Sequence, residues 1–129
     1  MIRYSGPEFR FVVPGRAVSF RSPLAMRYRR RVARCARAAL PRKPLEVPFE
    51  IRLDYFHSTE RRFDMDNVAK CVLDGLNKVA YRDDLLASVQ SSKAHDVREC
   101  TWLRGGPVDL VKQLRTYENY LFVRIRLAG

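Results

Sequence analysis

Five carboxylates, Asp64, Asp66, Asp74, Asp83 and Asp84, fall between positions 64 and 84, interleaved with Asn67, Lys70, Asn77 and Tyr81, and Lys93 comes after them. The polar skeleton reads D-x-D-N-x2-K-x3-D-x2-N-x3-Y-x-D-D-x8-K. Asp64 and Asp66 are two residues apart, so on an extended backbone their side chains point the same way and can share one hard cation. Mg²⁺ suits such a site, because it takes a few carboxylates and keeps several waters, leaving positions open for phosphate oxygens. Mn²⁺ could stand in for it. Lys70, beside these acids, is a candidate to hold a phosphate or to stabilise developing charge. Each residue also has a plain structural reading. Asp66 stands where a helix N-cap would stand. Lys70 can pair with Asp66 or Asp74 at i,i+4, and Asp74 reads best as its structural partner. Asp83-Asp84 can form a turn. These readings leave unexplained the concentration of acid in a chain whose net charge is +11.

That excess is itself informative. Basic residues outnumber acidic ones 25 to 14, which points to a polyanionic partner, and nucleic acid is the usual one. A basic surface that holds phosphates, with a local acid cluster that holds a cation, is the combination a metal-dependent nuclease needs. Carboxylates next to bound phosphates give a pure binding module nothing.

The elements that must position these residues can be read from periodicity. Phe9–Val13 alternates as a strand and ends at Pro14-Gly15. Ser22 as N-cap and Pro23 at the first helical position start a helix that should run to about Leu40 and stop at Pro41. Leu24, Tyr28, Val32, Cys35 and Ala39 are expected on its inner face. Arg27, Arg30, Arg31, Arg34 and Arg37 line the other face without a carboxylate among them. Like charges at this spacing cost helix stability, so the face is read as a DNA-phosphate contact rather than a merely solvated surface. Pro48–His57 alternates Phe49, Ile51, Leu53 and Tyr55 inward against Glu50, Arg52 and Asp54 outward, and is a strand. Glu60-Arg61-Arg62 is a polar turn. Asn67–Ala80 is a second helix whose apolar stripe is Val68, Cys71, Val72, Gly75, Leu76 and Val79, with Gly75 allowing close packing. Leu85–Val97 and Tyr120–Leu127 are strands. Between them Arg98–Asn119 contains Gly105-Gly106-Pro107 and a short helix at Val108–Arg115. The order β-α-β-α-β-β predicts a single α+β domain over residues 1–129, a mixed sheet of about four strands packed against two main helices.

No apolar run reaches the ~20 residues of a membrane span, and MIRYSGPEFRFVV has no signal-peptide pattern. Cys35, Cys71 and Cys100 are too few and too scattered for a disulfide framework or a zinc site. The expectation is a cytoplasmic protein with reduced thiols. His57 and His95 are single strand residues without zinc spacing, read as structural or surface groups. Trp102 is left without a role.

The stretch FDMDNVAKCVLDGLNKVAYRDD, together with Lys93 beyond it, resembles the signature of the RusA-like Holliday-junction resolvases, which are crossover-junction endodeoxyribonucleases. The match rests on Asp64, Asp66, Asn67, Lys70, Asp74, Leu76, Asn77, Tyr81, Asp83, Asp84 and Lys93. The resemblance implies Mg²⁺-dependent cleavage of four-way DNA junctions by a homodimer, through symmetric nicks. It implies that Asp64, Asp66 and Asp84 bind the metal and are catalytic together with Lys70. Asn67, Asp74, Asp83 and Lys93 would support them. Two alternatives are a nuclease for another branched or single-stranded nucleic acid, and a non-catalytic basic module. The motif also poses a distance problem. If Asn67–Ala80 is one unbroken helix, its ends lie ~20 Å apart, too far for Asp84 to share an ion with Asp64 and Asp66, since ligand distances are ~2.1 Å. Either the helix breaks near Gly75 and the chain doubles back or, as the packing place of Gly75 on the apolar face favours, the helix is unbroken and an antiparallel twofold dimer lets Asp84 of one chain complete the site of the other.

Overall fold

The computed structural model describes residues 2–58, 64–96 and 119–129. The turn expected at Glu60-Arg61-Arg62, the segment with Trp102 and the helix expected at Val108–Arg115 lie outside the described residues, as does Cys100.

Four strands and two helices come in the expected order: β1 (Glu8–Pro14), α1 (Ala25–Ala39), β2 (Phe49–His57), α2 (Met65–Leu76), β3 (Ala87–Asp96) and β4 (Tyr120–Leu127). The sheet order is β1-β4-β2-β3. β4 lies antiparallel between β1 and β2, while β2 and β3 are parallel, as the crossover through α2 requires. Both helices cover one face. There the inward residues of β2, Phe49, Ile51, Leu53 and Tyr55, meet Val13, Leu121, Val123 and Ile125 of the neighbouring strands and Tyr28, Val32, Val68, Val72 and Leu76 of the helices. A smaller cluster, Phe56, Tyr120 and Phe122, forms on the opposite face. No helix among the described residues is long and apolar enough to cross a membrane.

Several expectations need correction. Helix α1 begins at Ala25, with Leu24 in the cap position and no side chain capping it. Ser22 serves a turn one step earlier: its hydroxyl accepts from the Leu24 N–H at 3.1 Å and its carbonyl from the Ala25 N–H at 3.0 Å. Pro23 suits such a turn. The buried face is Ala25, Tyr28, Val32, Ala33 and Ala36, whereas Leu24 and Ala39 are exposed and Cys35 is half-buried. The small residues win because α2 packs closely there. A Cβ on Gly75 would stand 2.9 Å from the Arg29 carbonyl oxygen, so the glycine does permit the approach. The helix ends as expected, with Leu40 extended before Pro41.

Helix α2 starts earlier and stops earlier than the pattern suggests. Asp64, not Asp66, is its N-cap, and it ends at Leu76 rather than Ala80. Asn77 is extended and Lys78 adopts a left-handed conformation with φ 66°. The chain then doubles back. Tyr81 is fully buried against Phe49, and its hydroxyl donates to the Leu73 carbonyl at 2.8 Å. Leu45 clamps the return, donating to the Ala80 carbonyl and accepting from the Arg82 N–H. A 3₁₀ turn, Asp84–Leu86, precedes β3, which therefore begins at Ala87 rather than Leu85.

Candidate active site

The reversal after Leu76 decides the site. It carries Asp84 back along α2, so that Asp66, Lys70 and Asp74 of α2 and Asp84 line one cleft of about 410 Å³. Its floor is Ile51 and Leu53 of β2, and its far wall is Gln90, Ser91 and Ser92 of the edge strand β3. Asp66, Lys70 and Asp74 succeed one another at four-residue spacing and therefore share a helix face. Asp66 and Asp84 thus line the same cleft of one chain, with Asp84 near Asp74, because α2 ends at Leu76 and not at Ala80 as the distance argument assumed.

Each polar group in and around the cleft has a traceable position. Asp64 caps α2, its Oδ1 accepting the Asp66 N–H at 2.9 Å and its Oδ2 the Asn67 Nδ2 at 3.1 Å. Asp66 is in the first helical turn, so the two are not an extended pair, and Asp64 acts as a cap and is not among the residues that line the cleft. Asn67 also accepts the Phe20 N–H on its carbonyl at 3.2 Å, tying the loop after β1 to α2. That loop places the Phe20 ring under the Lys70 ammonium, 4.2 Å from Nζ to the ring centroid. Cation–π attraction thus holds Lys70 where an ion pair with Asp66 or Asp74 would otherwise compete. Asp74 is paired instead with Arg29 of α1, at 3.9 Å. Asp83 caps the 3₁₀ turn, accepting the Leu85 N–H at 2.9 Å. Lys93 is in register with Asp54 on β2, whose carboxylate meets Arg124 and His95, and so belongs to the face away from the helices. It is not among the residues that line the cleft.

The electrostatics suit a cation. The Asp84 carboxyl is raised above the ordinary carboxylate range, first by its hydrogen bond with Asp83, then by burial and by the charges of Asp83 and Asp74. Crowded like charges raise proton affinity, and a bound cation relieves the same repulsion. No three carboxylates, histidines or cysteines among the described residues stand close enough to form a ready-made metal cage. The donors that line the cleft, the carboxylates of Asp66, Asp74 and Asp84 with the oxygens of Gln90 and the serines, are hard oxygens, and they fit an ion that keeps most of its waters.

The sequence reading missed Gln90, Ser92 and Phe20. Gln90 and Ser92 carried a signal, because β3 presents them at alternate positions beside Ile51 and Leu53, where an interior strand would be apolar. Phe20 carried none, since its role depends on how the loop folds over α2.

Of the expected arginine face, Arg27, Arg30, Arg34 and Arg37 are exposed, while Arg31 is half-buried and donates to the Pro14 carbonyl at 3.3 Å. The family model described as endodeoxyribonuclease RusA matches residues 8–99, a span that includes every residue of the cleft. No curated protein matches the chain.

Proposed function

The chain belongs to the RusA endodeoxyribonuclease family, and on that premise we propose that it is a Mg²⁺-dependent resolvase of four-way DNA junctions, acting in recombination and repair as a homodimer. The observation that carries this reading is that Asp66, Asp84 and Lys70 line one cleft. Asp66 and Asp84 would hold the ion, with Asp64 able to join them by releasing its cap. When bound, Mg²⁺ supplies an activated water and neutralises charge on the phosphate. Lys70, kept from the acids by Phe20, binds a non-bridging oxygen of the phosphate to be cut. Arg30, Arg34 and Arg37 on α1 hold the duplex arms by charge alone. Paired nicks call for two copies of the cleft, which a twofold dimer provides. A cytoplasmic location accords with this role.

The test is a synthetic four-way junction beside a matched duplex, with Mg²⁺ and with EDTA. Junction nicking should need the metal and fall at least about 100-fold in Asp66→Asn and Asp84→Asn, the scale on which one lost charge-stabilising group acts. Junction binding should survive both changes. Nicking that persists in EDTA would overturn the metal role. Equal cleavage of duplex or of single strands would assign the cleft to another nucleic acid.

A further inference from the structure

The two edges of the sheet are built differently. β1, at one edge, carries Glu8, Arg10 and Pro14, and charges and proline are what keep an edge strand from pairing with another chain. β3, at the other edge, has no charged residue before Lys93 and no proline. Leu85–Ser92 is the longest stretch of the sequence without a charged residue, in a chain in which 30% of residues are charged. Ser88–Lys93 are all exposed, and among the described residues β2 is the only strand that pairs with β3. The outer row of backbone N–H and C=O groups is therefore open. The register with β2 is irregular only at Ser88, near the start of the strand, and runs unbroken from Val89 to Asp96. A second observation is apolar. Leu85 is 86% exposed and Val89 40%. Leu85 is held in that position from both sides, because the Asp83 carboxylate accepts its N–H and Leu86 packs against the core.

We propose that β3 is the seam of a homodimer, pairing antiparallel with β3 of a second copy so that two four-stranded sheets become one. Charge selects the occupant. At a net charge of +11 two copies repel each other over most of their surface, and the uncharged edge is where approach is least opposed. The contact also closes on itself. A twofold brings β3 to β3 and leaves the charged β1 edges outside, whereas β3 on β1 would propagate as a filament. The geometry then places the clefts. Antiparallel neighbours in one sheet are related by a twofold perpendicular to it, which keeps the helices of both copies on one face. β3 is the far wall of the cleft and β2 its floor. The two clefts therefore open on the same face, on either side of the seam, and their floors lie three strand spacings apart, ~14 Å. That both clefts act on one junction rests on the proposed function; the seam itself does not.

The test needs neither DNA nor metal. In a sedimentation series over protein concentration, the full chain should reach twice its 15.1 kDa mass. Hydrogen exchange of the ¹⁵N-labelled chain should show alternate amides of residues 89–93 protected in the dimer and released on dilution, with the amides of β1 unchanged. Leu85→Lys with Val89→Lys changes two residues that do not line the cleft and sets like charges along the seam. It should raise the dimer dissociation constant at least about tenfold, with circular dichroism like the parent's. A parent of single mass at every concentration would overturn the seam. So would a dimer whose β3 amides exchange as fast as those of the diluted chain, since its interface would lie elsewhere, or a folded lysine variant that associates as tightly as the parent. The exchange measurement decides on the parent alone if that variant does not fold. Junction nicking is then assayed separately. A β3-paired dimer that nicks no junction leaves the seam standing and removes the proposed function.

Discussion

Asp54 and Asp84 are carboxylates that their surroundings push in opposite directions. Burial alone would raise Asp54, but hydrogen bonds from His95 and Arg124, together with their charges, outweigh it and hold the carboxyl below the ordinary range. His95 Nε2 lies 2.7 Å from Oδ1, and Arg124 Nη2 lies 3.1 Å from Oδ2. His95 is thus structural, as its isolation in the sequence suggested. A carboxyl whose folded value is lowered favours the native state fully above its unfolded value, near ~3.9, and loses that contribution as the pH falls through the folded value. Acid unfolding of the parent should therefore steepen below about pH 4. Asp54→Asn should cost about 2 kcal/mol at neutral pH, since it removes charge-assisted bonds and strands a half-buried arginine. It should also flatten the acid limb. Urea midpoints from pH 7 down to 3 measure both effects, and an unchanged acid limb would mean that Asp54 has no part in acid unfolding.

At the scale of elements, the turn after α2 matters most, because it delivers Asp84 to the cleft. Its anchor is the Tyr81 hydroxyl on the Leu73 carbonyl. Tyr81→Phe keeps the ring against Phe49 but removes one of the two donors to that carbonyl, leaving the Asn77 N–H as the other. The expected loss is about 1 kcal/mol of stability. Mg²⁺ affinity should fall further than stability alone explains, because Asp84 loses its fixed position. Calorimetric titration of the folded variant reads this directly, and parent-like affinity would mean that the turn holds without the bond. The same turn marks the limit of legibility in the sequence. The alternation in β2 and β4 was plain, since one face is buried and the other is not. The acid skeleton was plain because few carboxylates dilute it. Helix α2 misled because Val79 and Ala80 continue its apolar spacing, while the pull that stops it is tertiary: Tyr81 seeks the pocket beside Phe49, and Leu45 pairs with the returning backbone. Asp64 misled for a local reason. An N-cap is recognised by the helical residues after it, and both Asp64 and Asp66 qualified.

For the whole molecule, the proposed dimer with Asp66 and Asp84 acting in the cleft of their own chain sets the behaviour expected of mixed dimers. Asp66→Asn and Asp84→Asn each damage the cleft of their own subunit. A dimer made of one of each then contains two damaged clefts, and mixing the inactive variants should restore no nicking. Mixing parent with either variant should leave one working cleft and give single nicks in place of paired ones. Nicked and resolved junctions separate on native and denaturing gels. Recovered nicking in the mixture of the two variants would mean that Asp84 crosses to the partner's site after all.

The position of β4 has a further consequence, one of timing. Among the described residues β1 joins the sheet only through β4, and β4 follows the other three strands in chain order. Until it arrives, β2 lacks its antiparallel neighbour and β1 has nothing to pair with. The sheet therefore cannot be laid down strand by strand as synthesis proceeds. Closing it requires contacts between residues more than a hundred positions apart, such as Phe9 with Ile125, and such closure is slow. Meanwhile the acid cluster and the arginine face exist in a chain whose sheet is still open. β4 supplies no residue that lines the cleft, and its contribution is to support β2, the cleft's floor, once it lies between its two neighbours.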